Sequence, residues 1–176
     1  MKFFLLVFSL IFSTFSIAET WFIKPSSNSQ EEIQEALILA EPGDTIQLAE
    51  GFYKLKHGLS LDVDDVSIVG AGHEKTILNF KDQISSAQGL LVTSNRVVLK
   101  DFAIEDAKGD AVKSKGSDEI SFINLRTEWT NGPDSKNGAY GIYPGESKRV
   151  LIDGCIALGA SDAGIYVGQS EQIIVR

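Results

Sequence analysis

The sequence contains a single cysteine, Cys155, so an intrachain disulfide is excluded as a source of stability. Histidine, tryptophan and methionine are also scarce, with two, two and one residues among 176. Basic residues are outnumbered, because 16 Lys and Arg face 24 Asp and Glu, and the formal charge is −8. An acidic protein repels polyanions unless a cation mediates, so a sequence-independent nucleic-acid binder is not expected. The apolar fraction of 43% is enough for one domain with a sizeable core.

Long apolar runs are also missing, except for one at the N-terminus. Residues 3–12 are almost wholly apolar, Lys2 precedes them, and Ser16 and Ala18 are small residues at the −3 and −1 positions of a cleavage site. This arrangement is typical of a secretory signal peptide over residues 1–18. The apolar run is shorter than the roughly 20 residues that a spanning helix needs, so we expect no membrane span after cleavage.

The sequence therefore predicts an exported protein, periplasmic or extracellular, whose mature part is residues 19–176. Removal of the leader takes away Lys2 and no acidic residue, which leaves 15 basic and 24 acidic side chains and a formal charge of −9. No cysteine follows the cleavage site, so a lipid-anchored N-terminus is not expected.

A short amphipathic helix is predicted near the start of the mature chain. Ser29 and Glu32 have the spacing of a capping box, and Pro42 with Gly43 ends the pattern, which predicts a helix over residues 29–41. One helical face is apolar and consists of Ile33, Ala36, Leu37 and Ala40. A helix of about three turns with one apolar stripe is stable only on an apolar surface.

After the helix the chain repeats with a period of 23 residues. Residues 141–147 return as residues 164–170, and the strand-like run at 150–152 returns at 173–175. Earlier runs begin at residues 66, 97 and 120, and two of the intervals are longer because their turns carry extra residues. A period in the twenties indicates a solenoid, and the leucine-rich repeat pattern is absent. Each unit holds about three short β-runs, which predicts a parallel β-helix of about five coils.

Stacking these coils in register predicts interior columns of like residues. The columns are Val97, Ile120, Val150 and Ile173; Leu99, Phe122, Ile152 and Val175; Phe102, Leu125 and Cys155; and Val112, Ile142 and Ile165. Cys155 is then a small core residue rather than a redox or nucleophilic group. Asp101 and Asn124 are expected to turn the chain after their strands.

Two parts of the sequence resemble known proteins. Residues 33–53, a helix followed by Pro-Gly-Asp-Thr-Ile, resemble the N-terminal cap of right-handed parallel β-helix proteins with the pectin-lyase-like fold. Residues 126–144 and 160–170 resemble a bacterial exported family, the parallel β-helix repeat-containing proteins. Wider relatives of that family include the copper-site assembly protein of nitrous oxide reductase, periplasmic mannuronan epimerases and polysaccharide lyases. The resemblance implies an all-β fold, a right-handed parallel β-helix solenoid with a short N-terminal capping α-helix.

Members of the resembling family continue for more coils than this sequence holds. Residues 173–175 would form a bare apolar edge strand, a template for aggregation that natural proteins cover. A solenoid also needs a cap at each end, and only one cap is recognisable. We therefore expect residues 19–176 to be the N-terminal part of a longer β-helix domain.

Catalytic signatures are missing from the sequence. A lyase or epimerase acting on an acidic polysaccharide neutralises a uronate and needs a base for the C5 proton and an acid. The histidines His57 and His73 are expected in exposed turns, and the motifs Gly-His-Gly and Asp-Pro-His-Asp of polygalacturonases and mannuronan epimerases are absent. No catalytic residue and no metal ligand is therefore assigned. Ca²⁺ on carboxylates would be the cofactor if the lyase interpretation holds.

One outward column is a candidate substrate-binding face. Tyr143 and Tyr166 are one period apart and point outward if Ile142 and Ile165 point inward, and Lys113 holds the same place one coil earlier. A longer turn is expected to rise beside them as a wall, with Trp129, Asp134 and Tyr140. Aromatic rings pack on pyranose rings, and carboxylates bind hydroxyls or a cation. Alternatively, the tyrosine ladder only stabilises the stacking of the strands.

Three interpretations of function stay open at this point. The first is a non-catalytic carbohydrate-binding or assembly protein, although no Met or His cluster for copper is present. The second is a polysaccharide lyase or uronate C5-epimerase, and the third is a structural or adhesive solenoid. A polysaccharide is the expected partner under the first two interpretations.

Overall fold

The computed structural model describes residues 17–176, so the predicted signal peptide lies outside the described residues except for its last two positions. Between residues 17 and 176, no helix is both long enough and apolar enough to cross a membrane. The elements in chain order are β1 (Thr20–Ile23), α1 (Ser29–Leu39), β2 (Thr45–Leu48), β3 (Gly51–Lys54), β4 (His57–Leu61), β5 (Ser67–Val69), β6 (Thr76–Asn79), β7 (Ser85–Val92), β8 (Val97–Lys100), β9 (Ala103–Glu105), β10 (Val112–Lys115), β11 (Asp118–Ile123), β12 (Arg126–Glu128), β13 (Tyr140–Gly145), β14 (Lys148–Asp153), β15 (Ile156–Leu158), β16 (Ala163–Ile165) and β17 (Glu171–Val175).

Three parallel sheets enclose the core. Sheet A runs β1-β2-β5-β8-β11-β14-β17, sheet B runs β3-β6-β9-β12-β15, and sheet C runs β4-β7-β10-β13-β16. From β2 onward the chain visits sheets A, B and C in turn and makes five such circuits before it reaches β17. The fold is therefore the right-handed parallel β-helix with one short helix that the repeat and the resemblance predict.

The predicted interior columns are confirmed by the strand registers. In sheet A the residues paired in successive coils are Val97, Ile120, Val150 and Ile173, and, two positions further on, Leu99, Phe122, Ile152 and Val175. In sheet C they are Val112, Ile142 and Ile165. Most members of these columns are fully buried, so the stack of coils is filled by apolar side chains along its axis.

Burial decreases toward the last described coil. Ile165 and Ile173 are half-buried and Val175 is exposed, because no described coil lies on their outer side. Cys155 was expected in the core and is instead half-buried, packed against its edge. Its thiol donates to the carbonyl of Phe122 at 3.4 Å, and burial raises the pKa of the thiol. A thiol held protonated in this way is a poor nucleophile, which agrees with a packing role.

The helix α1 covers the first coil with the predicted apolar face and begins at Ser29, but its N-cap and its end differ from the prediction. Ile33, Ala36 and Leu37 are buried, and the helix ends at Leu39 rather than at residue 41. The capping box over Ser29 is wrong, because Asn28 is the N-cap and makes no side-chain cap hydrogen bond. The Ser29 hydroxyl instead folds back onto Ser26, whose amide donates to it at 2.8 Å and whose carbonyl accepts from it at 2.9 Å.

The turn from sheet A to sheet B is made by the two polar residues that the sequence singles out. Asp101 and Asn124 have φ values of 60° and 50°, in the left-handed region that Asp and Asn tolerate better than most residues. The Asn124 side-chain amide donates to the Asp101 carboxylate one coil away at 2.5 Å. The turn function expected for these two residues is thus confirmed, and the hydrogen bond ties adjacent coils together.

Replacement of Phe122 tests the stacked core. Phe122 is completely buried in its column, so Phe122→Ala should lower the free energy of unfolding by about 3–5 kcal/mol through lost apolar contact and a cavity. The neighbouring Ser121→Ala, at a half-exposed position of the same strand, should change it by about 0.5 kcal/mol or less. Both values come from urea unfolding, and equal effects of the two substitutions would contradict the assigned register.

Candidate functional site

The outer surface of sheet C brings together most of the residues that the sequence proposes as a binding face. Lys113 of β10 pairs with Tyr143 of β13, and the amide of Tyr166, just after β16, donates to the Ile142 carbonyl at 3.0 Å. The residues on both sides of Lys113 and of Tyr143 are buried, so these two side chains point outward, and Tyr166 is 38% exposed. The three side chains occupy one column in three successive coils, as the repeat predicts.

The three tyrosines of this region form one aromatic cluster. The rings of Tyr140 and Tyr166 are stacked, with centroids 4.5 Å apart and planes 16° apart. Tyr143 meets Tyr140 edge-on at 4.9 Å and lies 5.2 Å from Tyr166 with a tilt of 56°. Tyr143 and Tyr166, one coil apart, are therefore tilted rather than stacked, and Tyr140 takes the stacked position on Tyr166. Tyr140, Tyr143, Tyr166 and Lys113 are called the tyrosine face below.

Two glycines allow the rings to lie close to the backbone. A methyl group on Gly168 would lie 2.9 Å from the Tyr143 ring and 3.0 Å from the Tyr166 ring, and one on Gly145 would lie 3.2 Å from Tyr143. Each glycine stands two residues after a tyrosine, on the same outward side of the chain. The recurrence of Tyr-x-Gly in both repeats is the sequence signal for this ring placement. The rings consequently pack directly against the backbone at these two glycines.

Lys113 carries the positive charge of the tyrosine face. Its Nζ atom lies 4.2 Å from the Tyr143 ring centroid and 3.8 Å from Oδ2 of Asp110. Burial raises the pKa of the Asp110 carboxyl, and the Lys113 ammonium opposes that rise. Asp110 precedes the first residue of β10 by two positions and is the ion-pair partner of Lys113.

A second carboxylate lies at the other edge of the cluster. The Tyr140 hydroxyl is hydrogen-bonded to Asp162, and lost hydration together with this carboxylate raises the pKa of the hydroxyl. Tyr140 therefore remains a neutral hydrogen-bond donor at neutral pH. The tyrosine face thus presents aromatic rings, one ammonium group and two carboxylates along its margins.

Two of the predicted wall residues do not join this face. Trp129 is only 4% exposed, and its indole N–H donates to the Ala107 carbonyl at 2.7 Å. The prediction of an open tryptophan wall is wrong, because the large ring fills the corner of the core between sheets B and C. Asp134 is exposed in the following loop, where its carboxylate accepts from the Lys136 amide at 2.8 Å and so stabilises a local turn. No contact joins Asp134 to the described tyrosines.

The two histidines lie away from the tyrosine face. His57 is exposed as expected, and its Nδ1 lies 2.6 Å from the Ser85 hydroxyl oxygen. His73 was expected to be exposed but is half-buried, with Nδ1 3.0 Å from a carboxylate oxygen of Glu74. Neither histidine is placed to act as a base beside Tyr143.

The described carboxylates do not fit a calcium site. Over residues 17–176, no group of three or more His, Cys, Asp or Glu side chains is arranged to hold a metal ion. Asp110 already contacts Lys113, the Tyr140 backbone amide and the Gln88 side chain, and Asp162 contacts the Tyr140 hydroxyl. Ca²⁺ needs about six to eight oxygen ligands, which these two separate carboxylates do not supply.

Comparison with known proteins defines the class of fold. A scan against protein-family models finds no match, and a search of curated proteins finds no similar sequence. The structure is similar to an alginate lyase from Paenibacillus sp. str. FPU-7, with a TM-score of 0.60 and 17% identity, covering 86% of this chain and 65% of that one. It is also similar to the PL6 family alginate lyase AlyGC, with a TM-score of 0.56 and 14% identity, covering 88% of this chain and 22% of that one.

These similarities establish a shared parallel β-helix fold and no more, because the identities are low. This chain spans less than two thirds of the length of either lyase. The resemblance to exported β-helix repeat proteins is thus supported at the level of the fold, without a matching family model.

Titration of Asp110 tests the electrostatics of the tyrosine face. In Lys113→Met the pKa of the Asp110 carboxyl should rise further, because the ammonium that stabilises the carboxylate is gone while the burial stays. Lys115→Met is the matched control, since Lys115 is an exposed lysine of the same strand without an ion pair in the described chain. Carboxyl NMR titrations give both values. A lowered or unchanged Asp110 pKa in Lys113→Met would contradict the pairing.

Proposed function

We propose that this protein is an exported β-helix protein that binds an acidic polysaccharide at the tyrosine face. The observation that carries the proposal is the arrangement of three tyrosine rings within 5.2 Å of one another with the Lys113 ammonium beside them. The interpretation of these tyrosines as mere stacking support fits less well. Tyr166 is 38% exposed, so the cluster still presents apolar ring surface to solvent.

The chemistry of the face matches that of a sugar acid. The apolar faces of pyranose rings cover aromatic rings, and burial of that area from water stabilises the complex. The rings are already seated on Gly145 and Gly168, so binding does not require them to be ordered at that moment. Tyrosine hydroxyls and the flanking carboxylates can exchange hydrogen bonds with sugar hydroxyls.

The lysine gives the face its selectivity for acidic sugars. A protein with a charge of −9 over residues 19–176 repels a polyuronate unless positive charge lies where the carboxylates bind. Lys113 supplies that charge on the tyrosine face, with the carboxylate of Asp110 3.8 Å from its ammonium. Two proteins of the same fold are named as alginate lyases, and alginate is a polyuronate, which makes it the first ligand to test.

Removal of the exposed rings tests the proposal. The double variant Tyr143→Ala/Tyr166→Ala should bind alginate oligosaccharides about tenfold more weakly or worse, because two stacking surfaces are lost. Tyr143→Phe/Tyr166→Phe should bind much better than the alanine variant, since it keeps both rings. Isothermal titration calorimetry measures the affinities.

Phe22→Ala provides the matched control for this experiment. Phe22 is an exposed aromatic residue of the first strand, 60% exposed and outside the tyrosine face. Its replacement should leave the affinity unchanged. Equal affinities of the wild type and the tyrosine double variant would overturn the proposal, and absence of binding by every form would favour the structural or adhesive interpretation.

β-Elimination at the same face is a second candidate function, favoured by the closeness of Lys113 and Tyr143. In that reaction a base takes the C5 proton of a uronate, the bond from C4 to the glycosidic oxygen breaks, and this oxygen takes up a proton. The Lys113 ammonium would stabilise the charge that develops on the uronate carboxylate. The hydroxyl of Tyr143, whose ring centroid lies 4.2 Å from that ammonium, would transfer the proton.

A turnover assay separates the second candidate from binding alone. The unsaturated product absorbs in the ultraviolet, so elimination should appear as a steady rise in absorbance when alginate is added. Tyr143→Phe should lose this activity while it retains binding, because the ring stays and the hydroxyl goes. Cys155→Ala should keep any activity, since this thiol lies on the core edge. If alginate binds and the absorbance does not rise, β-elimination is excluded and binding alone is the function.

A further inference from the structure

A second charged surface lies where the chain passes from sheet B to sheet C. Each of four successive connections between these sheets carries one exposed lysine, and another lysine ends the first strand of sheet B. These residues, called the lysine strip below, are Lys54, Lys56, Lys81, Lys108 and Lys136. Backbone contacts stack the connections on one another, as where the Ile84 amide donates to the Lys56 carbonyl at 2.7 Å.

Two adjoining grooves contain all five lysines. The larger groove, of about 420 Å³, is lined by Lys54, Lys56 and Lys81, and the smaller groove, of about 190 Å³, by Lys81, Lys108 and Lys136. Lys81 and Asp106 line both grooves, so the two are continuous. The strip thus extends across four coils, parallel to the axis of the β-helix.

The ammonium groups of the lysine strip form no ion pair within the described chain. Across residues 17–176, all four arginines form ion pairs, and so do three other lysines, Lys100, Lys113 and Lys148. None of the five strip lysines does so. Five free ammonium groups on one edge of a protein with a charge of −9 form a local region of opposite sign.

The carboxylates at the bottom of the grooves are already engaged. Glu105 accepts from the buried Arg126 guanidinium at 2.8 Å and from the Asn79 amide at 3.1 Å. Asp106 accepts from the Thr130 hydroxyl at 2.8 Å and from its amide at 2.7 Å. Glu105 therefore faces the Arg126 guanidinium, which Glu74 and Glu128 also contact. The five lysines still outnumber Asp82 and Asp106 along the grooves.

We propose that the lysine strip is a second binding site for an acidic polysaccharide, with the chain lying along the axis of the β-helix. A repeating polyanion is the ligand that fits a row of ammonium groups recurring once per coil, at a spacing of roughly 4.8 Å. The site is separate in residues from the tyrosine face and does not rest on the function proposed there. Two sites on one solenoid allow the protein to hold two segments of polysaccharide at once.

A sugar acid fits these grooves better than a nucleic acid does. Asp82 and Asp106 stand among the lysines and would repel closely spaced phosphates, whereas they can accept hydrogen bonds from sugar hydroxyls. Nucleic-acid grooves typically stack successive bases on several aromatic side chains, and here the lining contains a single exposed aromatic ring, Phe52.

Charge removal with a matched control tests the site. The variant Lys56→Gln/Lys81→Gln/Lys108→Gln and the control Lys24→Gln/Lys75→Gln/Lys115→Gln each remove three exposed lysines that form no ion pair in the described chain. Both change the net charge equally, so they differ only in position. Affinity for an alginate oligosaccharide is measured by calorimetry at two salt concentrations, after circular dichroism has shown that both variants keep the wild-type fold.

The comparison is made in the Tyr143→Ala/Tyr166→Ala background, where the tyrosine face no longer contributes to binding. There the strip variant should bind about tenfold more weakly or worse at low salt and lose most of its salt dependence, whereas the control should stay close to its parent. Equal effects of the two lysine variants would show general charge attraction and overturn the site. Tighter binding of a single-stranded oligonucleotide of equal charge would also overturn the assignment to a polysaccharide.

Discussion

Parallel backbone pairing between successive coils is the interaction on which every other feature of this protein depends. Each strand pairs with the strand one coil away, as β11 pairs with β8 on one side and β14 on the other. This register places like residues above one another, so the core becomes a set of apolar columns and the surface a set of polar or aromatic columns. A binding face on such a solenoid is therefore a column rather than a pocket, and it extends along the axis.

The distribution of charge gives two of these columns their chemistry. Acidic residues outnumber basic ones over the whole surface, and the arginines of residues 17–176 are all held in ion pairs. Positive charge that is free to meet a ligand is thereby concentrated in the lysine strip, while Lys113 brings a single ammonium to the tyrosine face. Electrostatic attraction at these places favours a polyanion that the rest of the surface would repel.

The periodic part of the sequence was sufficient to predict the fold and most of the register. A shift of 23 residues aligns Tyr143 with Tyr166 and Val150 with Ile173, because a solenoid converts sequence period directly into spatial adjacency. The predicted wall residues that were misplaced, Trp129 and Asp134, lie outside the period. Trp129 begins a longer connection, whose direction is set by the fit of its ring into the core, and no repeat unit contains a counterpart.

The contacts made by residues in the connections between strands could not be predicted either, because these connections do not follow the 23-residue period. Asp110 pairs with Lys113, and Tyr140 takes the stacked position on Tyr166, although neither contact follows from the repeat. The lysine strip could not be predicted from the repeat. The connections between sheets B and C differ in length, so its lysines recur without a fixed interval. Such features emerge only when the strand registers are known.

The tyrosine rings themselves offer the most direct measurement of the central claim, that an acidic polysaccharide binds at the tyrosine face. The sequence has four tyrosines, and the fourth, Tyr53, is fully buried with its hydroxyl donating to the Ile23 carbonyl at 2.9 Å. Ring resonances of all four can be followed by NMR during titration with an alginate oligosaccharide. The account predicts that Tyr140, Tyr143 and Tyr166 shift together while Tyr53 does not move. Saturable binding with no shift of these three rings, or equal shifts of all four, would contradict it.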